Sequence, residues 1–348
     1  MEQHTPFLSV IVPVFNTEAH VRECLDSLLA QSFGDLEIVI VDDGSTDASS
    51  GIVADYAARH DNVTAIRKDN GGLADARNHG IAAALGLYVG FVDADDHVAP
   101  DMFGRMCEAA RRADADIVVC KMMGFDPESG AEIPYEEAPA GLFGASLKDS
   151  PEILVRTSPS ACNKIFRRSL FAENGLLFPV GLSFEDLATT FPLFAAANRI
   201  VKVDEFLYFY RRSREGSITS VYGAHYEDLS RALEVMYERF SARGAFDGFR
   251  EQLLEVALVH LLFGRYADFF LHAPFSAKSP YIDEVFRHLD AHFPGWRQSE
   301  VLWQLTSKSR WLRAISTSAT LLKVYSALPA RVGQSLDWRL GMFTGGRG

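Results

Sequence analysis

The sequence predicts an α/β fold, a mostly parallel sheet flanked by helices, followed by a helical C-terminal region. Three observations predict it. Strand and helix patterns alternate over the first 120 residues. The strands there are continuous apolar runs, as in sheets covered on both faces. From Tyr226 onward the pattern is helical, with few breakers until Pro274.

The elements follow in order. Leu8 to Val14 is an apolar, β-branched run and reads as a strand. A helix is expected from Glu18 to Gln31, where Val21, Cys24, Leu25, Leu28 and Leu29 share one face. Glu37 to Val41 is the second strand and Asp47 to Arg59 the second helix. Val63 to Arg67 is a strand, Leu73 to Leu85 a small-residue helix, and Tyr88 to Val92 a strand. Pro100 to Arg112 reads as a helix and Ile117 to Cys120 as a strand. Gly124 to Gly141, dominated by Pro, Gly and Glu, reads as a loop. Pro151 to Arg211 is mixed and ends in the strand-like Phe206 to Tyr210. No internal repeat is visible.

Composition narrows the class. With 348 residues, 48% hydrophobic and 23% charged, the chain is a folded protein of one large or two ordinary domains. A net charge of −12 argues against sequence-independent nucleic-acid binding. Cys24, Cys107, Cys120 and Cys162 are far apart and show no metal spacing, so they read as packing residues in a reduced, cytoplasmic protein. Met1 to Pro6 has no signal-peptide pattern. Leu253 to Leu271 is interrupted by Glu255, His260, Arg265 and Asp268, and so reads as a buried helix. Ser307 to Gly348 holds seven Lys or Arg and one acid, with Trp303, Trp311, Leu312, Leu321 and Leu322 in or beside it. Two readings stand for this basic, aromatic tail. It packs on the protein or another subunit, or it lies on an anionic membrane surface.

Ligands of parallel sheets bind beyond the carboxyl ends of the strands. The second strand ends Val41-Asp42-Asp43-Gly44-Ser45-Thr46-Asp47, which sets carboxylates over the sheet edge. They could accept hydrogen bonds from a base or a ribose, or could simply cap the next helix. The fourth strand ends Phe91-Val92-Asp93-Ala94-Asp95-Asp96. Clustered carboxylates repel unless a cation compensates, and oxygen ligands suit Mg²⁺ or Mn²⁺ shared with substrate phosphates. The plain alternative is a solvated acidic turn. Between them, Asn70-Gly71-Gly72 opens a helix that carries Arg77, where backbone can approach a ligand and an Arg could reach a phosphate.

These blocks, together with Ser9-Val10-Ile11-Val12-Pro13-Val14-Phe15-Asn16 and Ala76-Arg77-Asn78, resemble the family 2 glycosyltransferases of the Rossmann-like GT-A fold. The likeness is dense over about residues 7 to 120. It continues more thinly through Cys162-Asn163-Lys164, Phe184-Glu185-Asp186 and Gly216-Ser217-Ile218-Thr219, blocks similar to bacterial enzymes of capsule, teichoic acid and surface polysaccharide. The resemblance implies a catalytic domain over 1–222 and a helical region over 223–348, for oligomerisation or membrane association. It implies that Pro13, Val14 and Phe15 hold the nucleoside and Asp43 the base, with Asn70, Gly71 and Arg77 beside the donor. Asp93 would lie near ribose, diphosphate and metal, and Asp95 on the Mn²⁺ or Mg²⁺. Asp186 would be the catalytic base. Ser217 and either Arg212 or Arg214 would close over the diphosphate, the Arg211 to Arg214 run being one residue longer than the family pattern.

The expected activity is then inverting, metal-dependent transfer from a nucleotide sugar, with UDP favoured over thymidine or guanosine donors. The acceptor would be a cell-surface glycan, a teichoic-acid-like polymer or a lipid-linked precursor. The expected location is cytoplasmic or peripheral on the membrane. Two other classes fit the sequence less well. A nucleotidyltransferase needs a Gly-rich, basic loop after the first strand, which Pro13 to Glu18 lacks. A non-catalytic scaffold would have lost the metal or base acids, and all are present.

Overall fold

A computed structural model of the chain describes residues 5–135, 137–212, 226–263, 274–307 and 310–327. The chain divides into two compact units, Met1–Arg214 and Glu215–Gly348. The boundary expected at 222/223 lies outside the described residues, as do Arg214, Ser217 and most of the charged end of the tail.

The first unit is built on one nine-stranded sheet. Its strands are β1 (Leu8–Val14), β2 (Leu36–Asp42), β3 (Val63–Arg67), β4 (Tyr88–Phe91), β5 (His97–Val98), β6 (Ile117–Phe125), β7 (Glu132–Tyr135), β8 (Lys164–Arg167) and β9 (Ile200–Arg211). The order is β3-β2-β1-β4-β8-β6-β9-β5, with β7 added to β6. The half β3-β2-β1-β4 is parallel, as its apolar runs predict, and every residue of β1 and β4 is buried. Beyond β4 the sheet is mixed. β8 runs antiparallel to both β4 and β6, whereas β6 and β9 are parallel.

The unit's helices are α1 (Val21–Leu29), α2 (Ser49–Arg59), α3 (Leu73–Ala83), α4 (Met102–Ala113), α5 (Ile153–Arg156), α6 (Ser169–Asn174) and α7 (Glu185–Ala196). α1 buries Val21, Cys24, Leu25 and Leu28, the face read from spacing. α3 lies unusually close to β1. A Cβ on Gly80 would come within 2.3 Å of the Ile11 side chain, so only glycine allows this approach. All four cysteines are free and buried, which fits packing roles.

Two expectations need correction here. β6 continues to Phe125 rather than stopping at Cys120. Its second half pairs with β7, which forms inside the stretch read as loop. β7 tolerates Pro134 because it is a short strand that pairs only with β6.

The second unit is helical. Its α-helices are α8 (Tyr226–Ala242), α9 (Arg250–Leu258), α10 (Phe275–His292), α11 (Glu300–Leu305), α12 (Arg310–Ser316) and α13 (Ala319–Ser326). Leu229, Leu233, Met236 and Phe240 of α8 are buried at helical spacing, as are Tyr281, Ile282, Val285 and Leu289 of α10. A π-helical turn, Val259–Phe263, extends α9. No helix among the described residues is long and apolar enough to cross a membrane. In the described part of the tail, Ile315, Leu322 and Tyr325 are buried and Lys323 pairs with Asp283 at 2.6 Å.

Candidate active site

Parallel pairing brings the ends of β1, β2 and β4 to one edge. Val14 lies opposite Asp42, and its carbonyl accepts the Asp43 N–H at 2.8 Å. Pro13 and Val14 are buried there, whereas Phe15 is 45% exposed. Asn16 follows with a positive φ of 49°. Such backbone is sparsely populated and collects at binding sites.

Asp43 organises the next loop. Its buried carboxylate accepts the Gly71 and Gly72 N–H groups at 2.9 and 2.8 Å and pairs with Lys68. The Asn70 amide donates to the Asp43 carbonyl at 3.0 Å. Lys68 also meets Asp75 at 2.6 Å. Burial works against the Lys68 charge, but the hydrogen bonds it donates to Asp43 and Asp75 outweigh it and raise its pKa. Gly44 is held at φ 76°, and a Cβ there would come 2.9 Å from the Asn70 nitrogen. Asp43, Asn70 and Gly71 are therefore one interlocked loop, with Lys68 as the member that the sequence reading missed.

The acids after β4 separate by environment. Asp96 is buried. It accepts the Tyr208 hydroxyl at 2.5 Å and the Arg211 N–H at 2.8 Å. Burial first, then Asp95 and Asp93, push its pKa well above the carboxylate range. Asp96 thus ties the acidic turn to β9. Arg211 adds to the tie through its Nε on the Asp95 carbonyl and its pairing with Glu23. Asp93 and Asp95 are only half-buried. Two oxygen donors of this kind fit Mg²⁺ or Mn²⁺, which take one or two carboxylates and complete their shell with phosphates and water.

The centre of the site is Arg77. It is 1% exposed and bonds three carboxylates: Glu185 at 2.7 Å, Asp186 at 2.6 Å and Asp93 at 3.0 Å. Its guanidinium also lies 5.3 Å from the Phe178 ring centroid. The expected reach of Arg77 toward a phosphate gives way to this inward one, because three buried or half-buried acids draw the guanidinium down from α3. Burial opposes its charge, yet Asp186, Asp93 and Glu185 outweigh it and hold it above the ordinary guanidinium range.

Asp186 has a second fixed partner, the Ala161 N–H at 3.1 Å from Oδ2. Below Ala161 lies a buried polar net. The Lys164 ammonium donates to the carbonyls of Ser158 and Ser160 at 2.9 and 2.7 Å. Asn163 donates to Glu137 at 2.9 Å. The net sets the loop that delivers Ala161. Burial raises the pKa of Asp186, with Arg77 pulling the other way. For Glu185, burial and then the Asp186 charge push it up to about 7. The N-cap position of α7 is Phe184, at φ 62°. That strained residue sits directly before the two acids.

The structure thus joins Arg77, Asp93 and Asp186 across α3, the β4 end and α7. Arg212 stands at the end of β9, its N–H on the Phe125 carbonyl at 2.8 Å. Glu185, Tyr208, Arg211 and the Ala161 N–H were not singled out from sequence. Each of the three side chains carried a signal only as a member of a matching block, Glu185 beside Asp186, and Tyr208 and Arg211 at the two ends of Tyr208-Phe209-Tyr210-Arg211.

Carboxylates beyond parallel strand ends, with the Glu185 and Asp186 pair bound to Arg77 beside them, fit a group-transfer enzyme of the GT-A fold. Residues 9–175 match the model of Glycosyl transferase family 2. The chain belongs to that family and is a glycosyltransferase. It is 36% identical over 254 residues to the uncharacterised glycosyltransferase EpsJ of Bacillus subtilis (strain 168), covering 69% of this chain and 72% of that one. It is 31% identical over 276 residues to the uncharacterised glycosyltransferase YibD of Escherichia coli (strain K12), covering 74% and 79%. Among solved structures, residues 1–349 of Staphylococcus aureus TarS in complex with UDP-GlcNAc superpose with a TM-score of 0.75 at 25% identity, covering 96% of this chain and 92% of that one.

Proposed function

We propose that this glycosyltransferase is inverting and metal-dependent, and that it moves a sugar from a UDP-sugar to a hydroxyl of a cell-surface polymer. One observation carries the reading. The candidate base, Asp186, and the candidate donor-site acid, Asp93, are held by the same buried guanidinium, Arg77. Acceptor activation and donor binding are then parts of one rigid cluster. The UDP-GlcNAc bound by TarS supports the donor class. The polymer acceptor is supported by the same relative, a poly(ribitol-phosphate) β-N-acetylglucosaminyltransferase, of which this chain spans 48% at 29% identity.

In this reading the acceptor oxygen attacks the sugar C1 as the bond from C1 to the diphosphate breaks. Asp186 takes the hydroxyl proton. Pro13, Val14 and Phe15 flank the nucleoside, and Asp43 shapes the loop against the base. Arg212 or Arg214, with Ser217, closes over the diphosphate. Asp93 and Asp95 would hold Mn²⁺ or Mg²⁺, which offsets charge on the departing diphosphate. Arg77 is a positioning residue, orienting Asp186 rather than touching phosphate.

Calorimetry with UDP, dTDP, GDP and CDP, with and without Mn²⁺, tests the donor site. UDP is expected to bind in a metal-dependent manner, and Asp95→Ala to weaken it at least about 10-fold. Binding of none of the four by the folded protein would overturn the reading.

The acid pair also sets a pH profile. Glu185, raised to about 7, makes the pair hold a proton below neutrality and lose it above. A base must be ionised, so kcat/KM is expected to rise with pH through about 7. Glu185→Gln should shift that limb to lower pH by removing the neighbouring charge. A limb unmoved by the substitution would take the pair out of the profile.

A further inference from the structure

The second unit holds a cluster of ligating side chains that sugar transfer does not use. His288 and His292 are four residues apart on α10 and so share a face. Glu234, on α8, lies 3.9 Å from the His288 Nδ1 and 3.7 Å from the His292 Nε2. The ligand atoms of all three residues fall within 4.8 Å of one another. The His288 side chain is fully buried, yet its Nδ1 has no hydrogen-bond partner. A buried nitrogen left so is rare and asks for a ligand. The other ring nitrogen, Nε2, lies 3.3 Å from the Tyr237 hydroxyl. A proton on Nε2 donated to that hydroxyl leaves a lone pair on Nδ1, the atom 3.9 Å from the Glu234 carboxylate. Metal-bound histidines are fixed by such a bond at their second nitrogen.

We propose that Glu234, His288 and His292 form a site for a divalent transition-metal ion of the zinc class, which clips α8 to α10. Two imidazoles and a carboxylate are a zinc donor set, whereas Mg²⁺ and Ca²⁺ favour all-oxygen shells. Zinc holds nitrogen and oxygen ligands at about 2.0–2.2 Å, so binding draws the atoms closer than they now stand. Glu234 is 45% and His292 31% exposed, which leaves both free to swing inward and gives the ion a path from solvent. The buried His288 is the fixed ligand. The clip joins helices far apart in sequence, where closing a long loop restricts the unfolded chain most.

The test uses the full chain, stripped of metal by a chelator and titrated with Zn²⁺ and with Co²⁺. One Zn²⁺ per chain is expected, with a visible tetrahedral Co²⁺ band and a rise in unfolding temperature on adding Zn²⁺. His292→Ala and Glu234→Gln should each weaken Zn²⁺ at least about 10-fold and remove the band. Both positions are partly exposed, and circular dichroism checks that each variant folds. Asp95→Ala should keep the site, because Asp95 belongs to the first unit and all three ligands to the second. No Co²⁺ band in the wild type, or Zn²⁺ binding unchanged in both cluster variants, would overturn the proposal. So would Zn²⁺ binding abolished by Asp95→Ala.

Discussion

Arg77→Met is expected to cost about 3–5 kcal/mol of stability, the range for breaking a buried ion cluster by removing one partner. Methionine keeps much of the volume, so cavity formation is a minor part of the effect. What remains is three acids, Asp93, Glu185 and Asp186, facing one another without a cation. Two of them escape by binding protons, since burial already raises both Glu185 and Asp186. The loss should therefore be larger at pH 8 than at pH 5.5. The sign follows from proton uptake. The variant's native state binds more protons than its unfolded chain, so its stability falls as pH rises through the raised pKa values. Arg77→Lys should lie between, because an ammonium keeps the charge but cannot fork to separate carboxylates. Chemical denaturation of the three proteins at both pH values measures this. A loss under about 1 kcal/mol at pH 8, or one independent of pH, would falsify the view of Arg77 as the cluster's counter-charge.

The parallel half of the sheet was legible because each strand there carries its own signal. β1 and β3 have the bounds read from the sequence, and β2 extends one residue at each end. What failed was what depends on a distant partner. Lys121–Phe125 alternates in burial, a weak local pattern. It becomes strand because β7 and β9 pair with it. The direction of β8 is equally invisible, since Lys164-Ile165-Phe166-Arg167 shows no sign of which way it enters. Its lysine is buried only because a net of carbonyls and Asn163 receives it.

The site divides in the same way. Acids at strand ends are local features, so Asp43, Asp93 and Asp95 stood out. The inward turn of Arg77 depends on Glu185 and Asp186, more than a hundred residues later. An exposed-looking Arg on a small-residue helix gives no hint of that. The burial of Asp96 likewise depends on Tyr208 and Arg211. Two acids of one motif thus take different parts, Asp93 toward Arg77 and Asp96 into the frame. No pattern of residue types separates them.

Asp186→Asn is expected to lower turnover by about 10² to 10⁴ while leaving UDP affinity near that of the wild type. An amide cannot take the acceptor proton at neutral pH, whatever its geometry. The substitution is close in shape, and its carbonyl can still accept the Ala161 N–H that now meets Oδ2 at 3.1 Å. The amide nitrogen then faces Arg77, so some stability is lost along with the ion pair. A structural role alone would lower activity through that loss, and three readouts separate the two. Circular dichroism and UDP calorimetry report whether the site is formed. The split between kcat and KM reports whether chemistry or binding has changed. The pH profile is the most direct, because a base that no longer titrates leaves the residual rate flat where the wild type climbs. Flat residual turnover with intact nucleotide binding identifies Asp186 as the proton acceptor. Full activity in the variant would remove it from the mechanism and move attention to Glu185, the neighbouring buried acid whose pKa already lies at about 7.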